Sequence, residues 1–340
     1  MVLLFLFEYD IIFFVYLHYS PQSYRRTGFM LKYIFLIVGF VLLIKGADFF
    51  VDGSSSVAKR LRVPSIIIGM TIVAMGTSLP ETSVSVTASI AAKNDLAISN
   101  VIGSNIFNLM VVCGLCALLC PLDVEGPTLK RDFPFSILIA GLLMAVGGMD
   151  GLVGREDGII LLIIFIIFLL IMIYSARKSR ENASLNDDEY KIMPVWKCML
   201  FIVAGIAAIA AGGEMVVQGA SDIARAFGMS ENLIGMTIVA LGTSLPELVT
   251  SVVAAKKNEL DMALGNVIGS NIFNILFVLG IASTISPVSF TQENFIDSAV
   301  LIAMSMTVLV LCLPRKRLVR WNGAAMLLIY AGYTGYIFSR

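Results

Sequence analysis

The chain has 340 residues, of which 58% are hydrophobic and only 14% are charged. Soluble domains carry roughly a quarter charged residues, so this composition excludes an ordinary soluble protein. With apolar runs of about 20 residues, it predicts a polytopic protein of the lipid bilayer. Lysines and arginines equal aspartates and glutamates in number, so net charge favours no partner. The sequence has no Gly-rich phosphate loop and no basic, aromatic pattern, so we expect neither a cofactor nor nucleic acid.

The first 29 residues form an unusual extension. They contain an apolar stretch that Glu8 and Asp10 interrupt, and they end near Arg25 and Arg26. A signal peptide would need a basic first region and a small-residue cleavage site, and neither is present. Because Met30 resembles a natural start, we interpret residues 1–29 as a mis-assigned start or a peripheral helix without a function.

The remaining apolar segments predict an all-α membrane protein with ten transmembrane helices. One long polar segment, Arg177–Lys191, joins two five-helix halves. We therefore divide the chain into an N-terminal extension 1–29, a first repeat 30–176, a linker loop 177–193 and a second repeat 194–340. The predicted helices cover about residues 30–52, 63–92, 95–120, 132–149, 157–176, 194–216, 229–255, 260–286, 294–313 and 319–338.

Lysine and arginine are distributed unevenly between the predicted loops. If the first helix starts outside, the inner loops hold fifteen of these residues and the outer positions after the first helix hold four. The excess belongs on the cytoplasmic side. The sequence thus predicts a multi-pass plasma (inner) membrane protein whose linker loop is cytoplasmic. It leaves the oligomeric state open, and a monomer is compatible with it.

A costly hexapeptide, Gly76–Glu81 (GTSLPE), lies within one predicted helix and returns as Gly242–Glu247. A charged side chain at the centre of a membrane helix is disfavoured by about 2.5–3.5 kcal/mol on insertion scales. A proline in a helix interior removes a backbone hydrogen bond. Retention of both penalties in two copies indicates that the motif has a function.

The two copies belong to a longer repeat. Residues 69–109 align with residues 235–275 at a constant offset of 166, with 26 of 41 positions identical. The duplicated unit is the five-helix half, and because five is odd, the second copy would cross the membrane in the opposite direction. Such inverted repeats are typical of secondary transporters whose site lies at the midplane between the repeats.

A second motif, Asn100–Asn108, is repeated identically as Asn266–Asn274. Ser104 and Asn108 are four residues apart, so they share a helix face that should point toward the first motif. Asn100 and Asn105 could instead form a seam of hydrogen bonds between helices. Gly103 is expected to allow close approach of a neighbouring backbone.

The motifs supply hydroxyl, carboxylate, amide and backbone carbonyl oxygens. Hard cations such as Ca²⁺ take about 6–8 such ligands, whereas soft metals prefer Cys or His. Two buried carboxylates carry a charge of −2, which one Ca²⁺, two monovalent ions or two protons would neutralise. Ions that fill the same oxygens exclude one another, and exclusion combined with alternating access gives antiport. A passive channel and a membrane-embedded enzyme remain as alternatives of other classes.

The paired GTSLPE and Asn-Val-Ile-Gly-Ser-Asn-Ile-Phe-Asn motifs resemble the two alpha repeats of the calcium/cation antiporter superfamily, and most of all its prokaryotic sodium/calcium exchanger branch. The resemblance covers residues 30–340 and implies ten helices and exchange of about three Na⁺ for one Ca²⁺. It implies that Glu81, Glu247 and the carbonyls of Thr77 and Thr243 bind Ca²⁺. The implied Na⁺ ligands are Ala74, Ser78, Ser104, Asn108, Ala240, Ser244, Ser270 and Asn274.

One position departs from part of this superfamily. Some relatives, including potassium-dependent ones, have Asp where this chain has Asn274. The side-chain charge of the site is then −2 rather than −3, which argues against K⁺ co-transport. The motifs of the proton-coupled calcium exchangers are not seen, so Na⁺ is the expected counter-ion, with Ca²⁺/H⁺ or other divalent exchange as the alternative.

Overall fold

The computed structural model of the chain describes residues 29–182, 193–230 and 234–339. The expectations for the extension, apart from its last residue, and for most of the linker loop fall outside these ranges. Within them the chain is mostly helical. The helices of the first half are α1 Phe29–Leu61, α2 Ser65–Ile68, α3 Ala74–Thr77, α4 Leu79–Ile90, α5 Asn94–Phe107, α6 Cys113–Leu119, α7 Phe133–Asp150 and α8 Arg155–Asn182. Those of the second half are α9 Val195–Ala226, α10 Ala240–Gly242, α11 Leu245–Lys256, α12 Leu260–Phe273, α13 Gly280–Ile285, α14 Gln292–Cys312 and α15 Arg320–Ser339.

In the part of the chain that the structure describes, five short π-helical segments adjoin α-helices without a loop between them. Because a π-turn holds one more residue than an α-turn, such segments often occur at functional sites. Four of them form two pairs that start 166 residues apart, and those pairs border the two sequence motifs. The π-helical segments are Gly69–Val73, Asn108–Val112, Thr128–Asp132, Gly235–Val239 and Asn274–Leu279.

Seven helical spans among the described residues are long and apolar enough to cross a membrane. An eighth results if Ser65–Thr77 and Leu79–Ile90, which meet at a 49° bend, count as one broken span. Two of the seven, Asn94–Leu119 and Leu260–Ile285, are 78% buried inside the protein. The others are 22–33% buried, so these two helices form the centre of the bundle and the rest surround them.

Within the described residues, two small antiparallel ladders depart from the expected all-α fold. β1 (Leu122–Asp123) pairs with β4 (Arg317–Leu318), and β2 (Leu152–Val153) pairs with β3 (Val288–Ser289). Each ladder joins a connection of the first half to one of the second. Leu122 and Val288 differ by the repeat offset of 166, as do Leu152 and Leu318, so each ladder is the counterpart of the other.

Some predicted helix ends were wrong. The first helix continues to Leu61 rather than residue 52, α8 continues to Asn182 rather than 176, and α9 continues to Ala226 rather than 216. Hydropathy marks where the apolar segment ends, but a helix satisfies its own backbone hydrogen bonds and can extend beyond the apolar part. Arg177–Asn182 is such a polar extension, so the helix takes the first residues of the predicted linker.

Helices α1 and α9 are the first helices of the two halves, and they pack directly on each other through glycines. A Cβ added at Gly46 would lie 2.9 Å from Ile209 N, and one at Gly212 would lie 2.7 Å from Gly39 O. Glycine is therefore required for this close backbone approach. The glycine-lined surfaces of the two helices therefore face one another.

A cluster of charges ties the C-terminal part of α1 to the turn between α11 and α12. Lys257 Nζ lies 2.6 Å from a carboxylate oxygen of both Asp48 and Asp52. Glu259 accepts hydrogen bonds from Ser55 and, at 3.0 Å, from Ser65. It also pairs with Lys59 at 3.2 Å.

The pKa values of this turn show which contacts dominate. Burial by itself raises the pKa of Glu259, but the hydroxyls of Ser55 and Ser65 and the Lys59 ammonium outweigh it, so the pKa is lowered. Burial lowers the pKa of Lys257, but the carboxylates of Asp48 and Asp52 outweigh it, so the pKa is raised. Both groups are stabilised in their charged forms, so the cluster attaches α1 to the turn electrostatically.

Lys257→Gln should lower the unfolding temperature of the detergent-solubilised protein, because Asp48 and Asp52 would face each other without a cation. The matched control is Lys256→Gln, an exposed neighbour for which the described residues provide no ion pair. The difference between the variants should shrink as salt is added, since these groups are partly exposed and salt screens them. Equal unfolding temperatures in both variants would contradict the role given to Lys257.

Candidate cation site

The two prolines of the GTSLPE motifs lie at helix starts and not in a helix interior. The chain breaks at Ser78 and at Ser244, and α4 and α11 begin at the next residue. Pro80 and Pro246 thus occupy the first turn, where a helix needs no backbone N–H from them. The proline penalty inferred from the sequence is therefore largely absent.

The same break places each glutamate in the first turn of a helix. Glu81 is the third residue of α4 and Glu247 the third residue of α11, and both side chains are 0% exposed. The positive end of a helix dipole stabilises a carboxylate there. The break therefore makes two buried glutamates less costly than glutamates in a continuous helix would be.

The carboxylates are hydrogen-bonded crosswise between the halves. Ser78 Oγ donates to Glu247 Oε1 at 2.7 Å, and Ser244 Oγ donates to Glu81 Oε1 at 3.3 Å. These are equivalent bonds, since both residues of one differ from those of the other by the repeat offset. The structure therefore brings both predicted glutamates and both motif serines into one cluster.

Several buried oxygens of this region have no hydrogen-bond partner among the described residues. A buried polar atom left unpaired costs about 1–3 kcal/mol, and more if it is charged. The unpaired oxygens belong to residue types that bind hard cations, and all come from the two repeated motifs. They are Glu81 Oε2, Glu247 Oε2, Ser104 Oγ, Ser270 Oγ, Asn108 Oδ1, Asn271 Oδ1 and Asn274 Oδ1.

The carbonyls of Ala74 and Ala240, which were predicted as ligands, lie beside the hydroxyls of the motif threonines. Thr77 Oγ1 is 3.3 Å from Ala74 O, and Thr243 Oγ1 is 3.4 Å from Ala240 O. Within the described ranges, no group of three or more His, Cys, Asp or Glu residues could hold a metal ion. A cation here would therefore be bound by a mixture of carboxylate, hydroxyl, amide and carbonyl oxygens.

The other asparagines form the seam that the sequence left open as an alternative. Asn105 Nδ2 donates to Asn271 O, and Asn271 Nδ2 donates to Asn105 O, both at 3.1 Å. Asn100 Nδ2 donates to Glu81 O at 3.4 Å, and Asn266 Nδ2 donates to Glu247 O at 3.4 Å. These amides connect helices and support the carbonyls of the glutamates.

Asn266 has a further contact that the sequence pattern does not predict. Its Oδ1 accepts a hydrogen bond from Thr77 Oγ1 at 3.1 Å. The identity of Asn100–Asn108 with Asn266–Asn274 marked Asn266 as important. It gave no sign that Asn266 contacts the first motif of the opposite half.

The two halves cover the site unequally. Val73 and Ala74 are 0% exposed, whereas Val239 is 40% exposed and Ala240 is exposed as well. Thr77 is buried, and its counterpart Thr243 is only half-buried. The segment around residues 69–77 therefore closes over the site, and the segment around residues 239–243 leaves its side open.

The glycines of the second motif show the same inequality. A Cβ at Gly269 would lie 2.5 Å from Met70 Cα, whereas one at Gly103 would meet nothing within 4 Å among the described residues. The expected close approach at Gly103 was therefore wrong for this conformation, although it holds at the equivalent glycine. The cause is that the first-half segment packs closely against its opposite central helix, whereas the second-half segment makes a looser contact with its own.

Buried carboxylates and unpaired oxygens at the centre of membrane-length helices define a multi-pass membrane protein that carries cations. The sodium/calcium exchanger protein family matches residues 31–174 and 197–339. The chain belongs to this family, and its class is therefore that of the calcium-exchanging cation antiporters.

Individual relatives agree with that assignment. The putative antiporter CaxA of Alkalimonas amylolytica is 43% identical over 90% of this chain and 98% of its own length. The sodium/calcium exchanger MaX1 of Methanosarcina acetivorans is 32% identical over 90% of this chain and 98% of its own. A solved structure of the sodium-calcium exchanger NCX_Mj matches with a TM-score of 0.77 and 35% identity, over 90% of this chain and 98% of that one. These relatives are named as antiporters or exchangers and not as enzymes.

Asn105→Ala should destabilise the protein by about 1–3 kcal/mol, because it removes two hydrogen bonds and leaves the Asn271 carbonyl without its donor and Asn274 Nδ2 without its acceptor. The measurement is thermal unfolding in detergent. Ser99→Ala is the control, since Ser99 is exposed on the same helix. A loss no larger than that of the control would mean that the seam does not stabilise the fold.

Proposed function

We propose that this protein is a secondary active antiporter that exchanges Na⁺ for Ca²⁺ by alternating access at the site between the two GTSLPE motifs. One observation carries the proposal. Glu81 and Glu247 each accept a hydrogen bond from the motif serine of the opposite half, and each keeps one buried carboxylate oxygen unpaired. An empty pair of desolvated carboxylates is unfavourable, and a bound cation removes that cost. The site is therefore occupied while its access changes.

The proposed architecture is ten membrane helices in two inverted repeats, residues 30–176 and 194–340, with the linker 177–193 between them. Equivalent helices support it, since α4 and α11, and α5 and α12, start 166 residues apart. Length and hydropathy select up to eight spans. The two further spans of the proposed architecture are α10 with α11, counted as one, and α15. The family match, which falls into two separate halves, agrees with this division.

We assign Ca²⁺ to the most negative part of the site. Glu81 and Glu247 would bind it with the carbonyls of Thr77 and Thr243, because a divalent ion neutralises the charge of −2. The remaining oxygens would complete the sites for Na⁺. These come from Ala74, Ser78, Ser104, Asn108, Ala240, Ser244, Ser270 and Asn274.

Exchange of three Na⁺ for one Ca²⁺ would move one net charge in each cycle. Such a charge is worth about 2.3 kcal/mol per 100 mV. An inside-negative plasma membrane potential would then favour Na⁺ entry and Ca²⁺ extrusion. The ions fill the same oxygens, so they exclude one another and coupling follows without a separate gate for each ion.

The orientation follows from the excess of lysine and arginine in the loops that we place in the cytoplasm. The cluster of Lys257 and Glu259 is then cytoplasmic, as is the linker. The open segment around residues 239–243 faces outside. This conformation is then less covered on its extracellular side, and α1 and α9 would slide together relative to the central helices when access reverses.

The first experiment measures ⁴⁵Ca²⁺ uptake into Na⁺-loaded vesicles that contain the purified protein. Uptake should require the outward Na⁺ gradient. Uptake that persists without Na⁺ and follows a proton gradient would instead establish Ca²⁺/H⁺ exchange.

Glu81→Gln and Glu247→Gln should each reduce this uptake to the level of empty vesicles, because each removes half of the charge that neutralises Ca²⁺. Glu156→Gln is the control, since Glu156 is exposed in the first turn of α8 and far from both motifs in sequence. Normal transport by either site variant would overturn the assignment of that glutamate.

Exchange should be independent of K⁺, because the side chains of the proposed site provide a charge of −2, with Asn rather than Asp at positions 108 and 274. The test replaces external and internal K⁺ with choline at constant ionic strength. A rate that rises with K⁺ would show that the site accepts an additional cation that this charge count does not accommodate.

A further inference from the structure

One hydrogen bond connects the first motif of the first half to the second motif of the second half. Thr77 Oγ1 lies 3.1 Å from Asn266 Oδ1, and both residues are 0% exposed. Asn266 Nδ2 donates to Glu247 O at 3.4 Å and to Ser251 Oγ at 2.9 Å. A carbonyl only accepts hydrogen bonds, so this contact fixes the amide orientation and leaves Oδ1 facing Thr77.

The equivalent residues of the other pair are Thr243 and Asn100. Asn100 repeats the local contacts of Asn266, since its Nδ2 donates to Glu81 O at 3.4 Å and to Ser85 Oγ at 3.1 Å. Each threonine hydroxyl also lies near a carbonyl of its own segment, Thr77 at 3.2–3.3 Å from Val73 O and Ala74 O and Thr243 at 3.4 Å from Ala240 O. Unlike Thr77, Thr243 makes no bond to the asparagine of the opposite half within the described residues. Only one of two equivalent Thr–Asn bonds is therefore formed.

The packing is also closer around the Thr77–Asn266 pair than around the Thr243–Asn100 pair. Where the bond is formed, a Cβ at Gly269 would lie 2.8 Å from Ala74 Cβ, so the backbones are in contact. Where it is missing, Gly103 has no described neighbour within 4 Å of such a Cβ, and Val239 is 40% exposed. The state of the bond thus follows whether the motif segment lies against its central helix.

We infer that Asn266 and Asn100 are positioning residues that bind the threonine of the opposite half alternately. In the present conformation Asn266 holds Thr77 and closes that side of the site. When access reverses, Asn266 releases Thr77 and Asn100 accepts the hydrogen bond from Thr243. One bond is lost and one is gained, so the two conformations remain close in free energy. This inference rests on the proposed alternating access.

The pairing also connects closure to the ion site. Asn266 supports the backbone carbonyl of Glu247 on one side and binds the Thr77 hydroxyl on the other. When the Thr77 segment closes, its hydroxyl is fixed to an amide that already contacts the glutamate of the opposite half. The closed side is thereby held in register with the carboxylate pair.

The test compares Thr77→Val with Thr243→Val, since each substitution removes the hydroxyl and keeps the backbone carbonyl and the branched shape. Access is read from the rate of thiol modification of Leu241→Cys, at a position 41% exposed here, and of its equivalent Met75→Cys. Wild-type protein labelled in parallel gives the background from the five native cysteines.

Thr77→Val should shift the ratio of labelling at 75 to labelling at 241 upward by about fivefold, the effect of one net hydrogen bond of ordinary strength on an equilibrium. Thr243→Val should shift the ratio downward, because it weakens the other conformation. Asn266→Ala should act like Thr77→Val, and the double variant Thr77→Val/Asn266→Ala should shift the ratio no further than the larger single change.

Shifts in the same direction for the two threonine variants, or an unchanged ratio in both, would overturn the inference, because a purely local role for the hydroxyls would not depend on which half is changed. The labelling needs no ion gradient, so it is independent of the proposed ions. Opposite shifts in a protein that shows no ⁴⁵Ca²⁺ exchange would remove the proposed function and leave the alternating bond established.

Discussion

Two carboxylates buried beside one another are the constraint on which the rest of this structure depends. Neither Glu81 nor Glu247 is exposed to solvent, and neither pairs with a basic side chain among the described residues. Their burial is made tolerable by helix starts, by a serine from the opposite half and by amides that hold the backbone. Each of these supports lies in a repeated motif, which explains why the duplicated segments kept their identity where they are costly.

The sequence predicted the participants well and their contacts poorly. Repetition at a constant offset identified both glutamates, the serines and the paired asparagines, because a duplicated polar residue in an apolar segment needs a reason. The offset says which residues are equivalent, however, and not which ones touch. The crosswise Ser78–Glu247 bond depends on how two distant segments pack, and no local pattern records that.

The errors have physical causes of the same kind. Pro80 looked like a defect within a helix because hydropathy is continuous across Ser78, whereas the backbone breaks there. Gly103 was expected to pack closely because a small residue allows a neighbouring backbone to approach, but the two halves are in different positions and only its copy Gly269 has such a neighbour among the described residues. Equivalent residues of the two repeats have the same sequence context. In one conformation, however, the two halves are arranged differently, so equivalent residues such as Gly103 and Gly269 have different neighbours.

The reciprocal bonds between Asn105 and Asn271 have a property that the single bond between Thr77 and Asn266 lacks. The two residues are each other's equivalents, so exchanging the roles of the halves turns this pair into itself. An interaction with that property need not break when one half adopts the shape of the other. The two most buried helices can thus stay joined by these bonds while the segments around residues 69–77 and 239–243 exchange their open and closed positions.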